Sequence, residues 1–326
     1  MKKGKEILYL SNAQVKAVNL SMEETMEAVE EAFIEKGNGR FQMPPKPALY
    51  TKGDAFLHAM PAYLPEIKMA SLKWIGGYPE NARYGLPYLN GLLILNCPET
   101  GVPLAVMDCV WITAQRTGAV SGVTAKYLAN ESSPVCAIIG CGVQARTQLA
   151  ALALARDLKE VRCFDINPRQ TELYIQEMGE KLPGIKFLTA GSPREAVEGA
   201  DIVVTAGPIL KEPDPPIELS WLKEGVLGLP IDFDSYWKPE AMQGCAKFYV
   251  DDENQFEYYR STGYFKGAPK AFADLGELLT GRAPGRESEK ERIIAMNLGL
   301  ALMDLATAVR IYRRALELGI GTVLPL

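Results

Sequence analysis

Histidine is almost missing from this sequence. The single His58 excludes zinc centres built on several imidazoles, and a Ser-His-Asp relay could be assembled only around that one residue. No two cysteines are spaced C-x-x-C. The six present, at positions 97, 109, 136, 141, 163 and 245, lie mostly in apolar segments and read as buried thiols of a reducing compartment, with no disulfide framework. Basic side chains are not in excess: Lys+Arg number 35 against 40 Asp+Glu, a formal charge of -5. A phosphate backbone would meet no attractive field, so nucleic acid is not an expected partner. Long apolar runs are also lacking. Runs such as residues 91–95 and 298–303 fall far short of the ~18 residues that bridge a bilayer, so no membrane partner is expected. The basic start Met1-Lys2-Lys3-Gly4-Lys5-Glu6 is followed by only Ile7-Leu8-Tyr9-Leu10 before Ser11-Asn12, too short for a secretory signal. A cytoplasmic chain is expected.

What remains is an ordinary globular composition, 48% hydrophobic and 23% charged over 326 residues, a length that suits about two domains. No internal repeat or low-complexity segment interrupts it. Ser21 followed by Glu24 is a capping box, with Met22, Met26, Val29 and Phe33 at helical spacing and Gly37 as a stop. Between residues 43 and 107 the pattern becomes short apolar runs broken by Pro and Gly, the pattern of an antiparallel meander in an α+β opening domain. Thr113 then caps a predicted helix over residues 114–128. Its Gly118, Ser121, Gly122 and Ala125 would admit another backbone closely.

From Pro134 the chain alternates strand and helix, which predicts a doubly wound parallel sheet. Strands are expected at residues 135–139, 161–165, 201–205, 225–229 and 247–250. The turn between the first strand and its helix reads Gly140-x-Gly142-x-x-Ala145. The first glycine allows the tight turn, the second lets a pyrophosphate approach the backbone, and the small third residue lets helix lie on strand. A helix N-terminus there offers N–H donors to phosphates. Asp165 closes the second strand 20 residues after Ala145, where a carboxylate accepts from ribose hydroxyls and repels a 2′-phosphate. NAD is the expected cofactor, and Arg169, just inside a helix capped by Asn167-Pro168, leaves NADP open. A last helix is expected over about residues 287–318, its middle apolar nearly all round and therefore buried in the protein or at a subunit contact.

Outside the nucleotide motif, the candidates for chemistry are Lys46, Lys73, Arg116, Asp232, Asp234 and His58. Each also has a plain alternative. A lysine on a meander strand is commonly solvated, a loop aspartate commonly caps, and His58 could be a satisfied half-buried ring. Arg116 is placed by the Thr113 cap in a first helical turn, where a cation opposes the dipole and suggests an anionic ligand.

The segments Met60-Pro61-Ala62, Lys73 with Tyr78-Pro79-Glu80-Asn81, Gly85-Leu86-Pro87, Thr100-Gly101-Val102-Pro103-Leu104-Ala105, Thr113-Ala114-Gln115-Arg116-Thr117-Gly118-Ala119, the glycine turn, Asp274-Leu275-Gly276-Glu277-Leu278-Leu279-Thr280-Gly281 and Asp304-Leu305-Ala306-Thr307-Ala308 occur in order along nearly the whole chain. In this the sequence resembles the ornithine cyclodeaminase/mu-crystallin family. The resemblance implies a homodimer with a Rossmann domain, residues 116–291, inserted in a substrate-binding and dimerisation domain of residues 1–115 and 292–326. It implies chemistry at the C–N bond of an amino acid or imine: ornithine cyclodeamination by default, with imine reduction or alanine-type dehydrogenation as the alternative, and a non-catalytic nucleotide-binding protein as a third reading. Lys73 and Arg116 match the family's substrate cations, and Lys46 stands where many members have arginine. Met60 and His58 fall on the substrate side, His58 where an ornithine enzyme would have an acid. Asp234, six residues before Glu240, matches the catalytic aspartate, with Asp232 as its near alternative. Thr117, Gly140, Gly142, Val143, Gln144, Ala145, Asp165, Asn167 and Arg169 match the cofactor side.

Overall fold

A computed structural model describes residues 2–326. The elements run β1 (Glu6–Leu10), α1 (Asn12–Ala17), α2 (Met22–Gly37), β2 (Ala48–Lys52), β3 (Ala55–Leu64), β4 (Met69–Gly77), β5 (Leu89–Asn96), β6 (Pro103–Asp108) and α3 (Val110–Leu128). There follow β7 (Val135–Ile139), α4 (Val143–Ala155), β8 (Glu160–Phe164), α5 (Pro168–Lys181), β9 (Lys186–Thr189), α6 (Pro193–Val197), β10 (Ile202–Thr205), β11 (Leu227–Pro230), α7 (Pro239–Gln243), β12 (Lys247–Val250), α8 (Glu253–Ser261), β13 (Ala273–Asp274), α9 (Leu275–Leu279), β14 (Ile293–Met296), α10 (Ala301–Leu318) and β15 (Thr322–Pro325). The chain divides into two compact units. The first holds Met1–Arg116 and Gly299–Leu326, the second Thr117–Leu298.

In the first unit the sheet order is β15-β1-β6-β5-β4-β3-β2. The meander from β2 to β6 is antiparallel, as the Pro- and Gly-broken pattern predicts. β1 and β15, neither expected from sequence, extend it by one parallel and one antiparallel pairing. Helices α2 and α10 lie together, and α10 covers β3, β4 and β5. Ser21 caps α2 with the expected capping box, and Ser11 caps α1 in the same way with Gln14. β4 alternates against type. Met69, Ser71, Lys73 and Ile75 are buried, whereas Leu72 and Trp74 are exposed. Register sets Leu72 beside Ile94 and Trp74 beside Leu92, so the face opposite Lys73 is apolar.

The second unit is an all-parallel sheet ordered β13-β12-β14-β11-β10-β7-β8-β9. β10, β11, β12 and β14 are buried at every position, which explains their continuous apolar runs. The chain leaves β7 toward β8 on one side and returns as β10 on the other, so the strand order reverses there. The carboxyl ends of β7 and β10 therefore border the crevice where such sheets take ligands.

Three expectations are corrected. The long last helix does not start at residue 287: Ile293–Met296 form a buried strand and the helix begins at Ala301. A four-residue apolar run is ambiguous between the two states, and Gly299, at φ +83, breaks the chain between them. Residues 292–298, expected in the substrate domain, accordingly fall in the second unit. Finally, Thr113 does not cap α3. Asp108 accepts the Val110 N–H at 3.0 Å and Thr113 N–H donates to Cys109 O, so Arg116 lies beyond the first turn and the argument from an opposed dipole does not hold.

The small residues of α3 do admit a neighbour. A Cβ on Gly118 would stand 2.4 Å from Thr147 O of α4. Gly118→Ala is therefore expected to lower the melting temperature, at a cost of about 1–3 kcal/mol for overpacking, as calorimetry would read. No helix among the described residues is long and apolar enough to cross a membrane, and the described cysteines are all free.

Candidate active site

The first unit gathers five of the expected residues, three of them on the inner face of its sheet. Lys73, in mid-β4, is 1% exposed. A lysine is buried only with a partner, and here Nζ lies 2.6 Å from Asp304 Oδ2 and donates to Thr113 Oγ1 at 3.3 Å. The solvated alternative is thus excluded. Burial pushes the Lys73 amine below its ordinary value and Asp304 opposes that shift. Arg116, also buried, donates through Nε to Asp304 Oδ1 at 3.0 Å. Its guanidinium lies against Gly299, where a Cβ would come within 2.7 Å of Nη1. Lys46 Nζ donates to Gly299 O at 3.1 Å. Met60 faces Lys73 directly across β3 and β4, and His58 pairs with Ile75, two residues along the same face. The His58 ring stacks on Phe56 at 4.2 Å. Burial, then Lys46 and Lys73, hold its pKa down at about 3, so it is a neutral imidazole.

The second unit carries the nucleotide motif as the pattern predicts. Gly140 has φ +89, and a Cβ there would be 2.8 Å from the Ala206 carbonyl. Gly142 is the N-cap of α4, and nothing lies within 4 Å of where its Cβ would be, leaving the room a pyrophosphate needs. Val143 stands exposed beside it, Gln144 is half-buried, and Ala145, in the first turn of α4, is buried. Asp165 has a further task. Its two oxygens accept the backbone N–H groups of Cys141 and Asn167, each at 2.8 Å, so it clamps the turn. Asn167 caps α5 through Arg169 N–H, and Arg169 is exposed. Thr117 O accepts from Gln148 Nε2 at 3.1 Å.

The two aspartates after β11 differ. Asp232 is fully buried, accepting from Thr205 Oγ1 at 2.6 Å and Gly207 N–H at 2.9 Å. Burial pushes its pKa up to about 7. Asp234 is also raised by burial, against the backbone N–H groups of Phe265 and Lys266. It lines a cavity of about 390 Å³ with Lys211, Tyr264 and Lys266, and its Oδ1 has no hydrogen-bond partner. Between them Phe233 takes φ +60 and sits among Tyr259, Tyr264 and Phe265.

Sequence reasoning missed three supports. Asp304 was legible as a carboxylate inside an apolar helical stretch, a position that demands a buried partner. Arg146 braces the glycine turn, donating through Nη1 to Cys141 O and Gly142 O, both at 2.9 Å, and pairing with Glu177. Thr205 ties Asp232 to Trp237, and nothing in the sequence signals that.

The family model for ornithine cyclodeaminase/mu-crystallin matches residues 6–319. The chain belongs to that family. Among curated members it is 38% identical to the alanine dehydrogenase of Archaeoglobus fulgidus, over 97% of this chain and 98% of that one. Among solved members it resembles the Thermococcus litoralis Δ1-pyrroline-2-carboxylate reductase in complex with NADH and L-proline, with a TM-score of 0.88 and 35% identity over 97% of this chain and 99% of that one. An archaeal alanine dehydrogenase dimer with bound NAD gives a TM-score of 0.88 and 36% identity, over 98% and 99%. The fold of this chain, a parallel α/β sheet unit plus a mixed α+β unit, is that of these family members.

Proposed function

We propose that this chain is a nicotinamide-dependent oxidoreductase of small α-amino or α-imino acids, of the alanine-dehydrogenase or pyrroline-carboxylate-reductase kind, and not an ornithine cyclodeaminase. The observation that carries this reading is the charge around His58. A diamine needs an acceptor for its second ammonium. Among the described residues, the buried carboxylate of the first unit is Asp304, already engaged by Lys73 and Arg116, and His58 is a neutral ring beside two lysines. A cationic side chain would be repelled there, whereas an alanine or proline side chain would not.

Arg116 and Lys46 are assigned the substrate carboxylate, with Lys46 giving a point charge in place of a bidentate fork. Lys73 is assigned the carboxylate and the imine nitrogen, which its ammonium polarises. Asp234 is assigned the proton transfer, since Asp232 has both oxygens committed to Thr205 and Gly207. The Gly140–Ala145 turn with Thr117, Asp165, Asn167 and Arg169 would hold NAD, whose nicotinamide supplies or accepts the hydride at Cα. Asp165 supports NAD over NADP. A homodimer is part of the same reading. The outer sheet face exposes Tyr9, Leu72, Trp74 and Leu92, a patch of the kind that marks an interface.

The test offers NADH with Δ1-pyrroline-2-carboxylate or with pyruvate and ammonia, and NAD+ with L-alanine, L-proline or L-ornithine, following nicotinamide absorbance and ammonia together. NADH consumption with the imino acid or with pyruvate and ammonia is expected, and no product from ornithine. Ammonia from ornithine without accumulated NADH would reverse the reading in favour of cyclodeamination.

A further inference from the structure

Asp304 lies in the first turn of α10, fully buried, and divides its carboxylate: Oδ2 to Lys73 Nζ at 2.6 Å, Oδ1 to Arg116 Nε at 3.0 Å. The two cations come from separate elements, β4 and α3, and would repel each other without an anion between them. We propose that Asp304 is a positioning residue, a single carboxylate that fixes where the two substrate-holding cations stand and which of their N–H groups remain to face a ligand. By taking Arg116 at Nε, it leaves the terminal guanidinium nitrogens, and the Gly299 backbone against which they lie, to set the guanidinium plane. This rests on the oxidoreductase reading above and says which residue arranges that site.

The consequence for protonation follows from what surrounds Lys73. Asp304 faces it from α10, Arg116 and Thr113 from α3, Cys109 from the segment before α3, and His58 from β3. The Cys109 thiol is pushed up to about 12 by burial and His58 is neutral, so Asp304 is the one carboxylate in that set. Removing its charge lets burial and Arg116 act unopposed, and the Lys73 amine would lose its proton at lower pH.

The test compares wild type, Asp304→Asn and Asp304→Glu. Reductive turnover is followed against pH, NADH binding by fluorescence, and binding of pyrrole-2-carboxylate, a flat non-reacting analogue, by calorimetry. Asp304→Asn should lower kcat/KM by at least about a hundredfold, as for a broken buried pair. It should weaken the analogue, move the alkaline limb of the profile to lower pH, and leave NADH affinity unchanged. Asp304→Glu keeps the charge but displaces it, so the limb should return toward the wild-type position while kcat stays low. Asparagine within about threefold of wild type, a loss with an unmoved limb and unchanged analogue binding, or failure of both variants to fold would each overturn the proposal. If wild type turns over none of the imino or amino acids yet the analogue shows the Asp304 dependence, the reading of function falls and the positioning role stands. If wild type turns over and the asparagine variant matches it, the reverse holds. If wild type neither turns over nor binds the analogue, both fall.

Discussion

Lys73→Met should reduce kcat/KM by about three to four powers of ten while leaving NADH affinity intact. The reason is the lysine's surroundings. At 1% exposure no water can take the place of its ammonium, and the charge that polarises an imine in a dry pocket has no substitute. Methionine nearly reproduces the length and volume of the side chain, and Asp304 keeps Arg116 at 3.0 Å. The stability loss should therefore stay below the ~3–5 kcal/mol of a fully orphaned buried charge. Steady-state kinetics and a fluorescence titration with NADH check both halves. A variant keeping a tenth or more of wild-type turnover would remove Lys73 from the chemistry.

Asp234→Asn should cost about two to four powers of ten in turnover, whereas Asp232→Asn should act on stability. Asp234 is buried, faces a cavity and has one oxygen without a partner, so an amide there removes a proton carrier and little else. Asp232 has both oxygens in use. An asparagine must turn an N–H₂ toward either Thr205 or Gly207, and losing an acceptor in a buried network costs about 1–3 kcal/mol. The pH dependence separates them further. The folded pKa of Asp232, about 7, lies above its unfolded value of roughly 4. The native state thus holds the extra proton between those values, and its contribution to stability is complete below about 4 and lost as pH rises through about 7. Melting temperature measured over that window should fall for wild type and flatten in Asp232→Asn. Abolished turnover in Asp232→Asn with an active Asp234→Asn would exchange the two assignments.

The glycine turn was legible because its signals are local. Gly140, Gly142 and Ala145 report on backbone geometry within a single turn, and Asp165 follows at the end of the next strand. The cluster around Asp304 was legible as single residues but not as an arrangement. Lys73 looks like any lysine on a meander strand until Asp304, far along the chain, is set against it, and propensity cannot see a partner that arrives through tertiary contact. The same limit explains β14. Ile293-Ile294-Ala295-Met296 is apolar enough for either state, and only the slot between β11 and β12 decides for strand. The Thr113 hydroxyl suits a cap, but Asp108, five residues earlier, serves the end of the helix.

The first unit is closed by Gly299–Leu326, which brings α10 across the sheet and lays β15 along β1. During synthesis Lys73 must therefore wait without its carboxylate, and β1 without its outer neighbour, until the whole nucleotide unit has been made. The second unit, contiguous in sequence, can form its contacts before the first unit is closed. The Asp304 carboxylate and the Gly299 carbonyl, both on that closing segment, are thus the last parts of the cluster around Lys73 to be made.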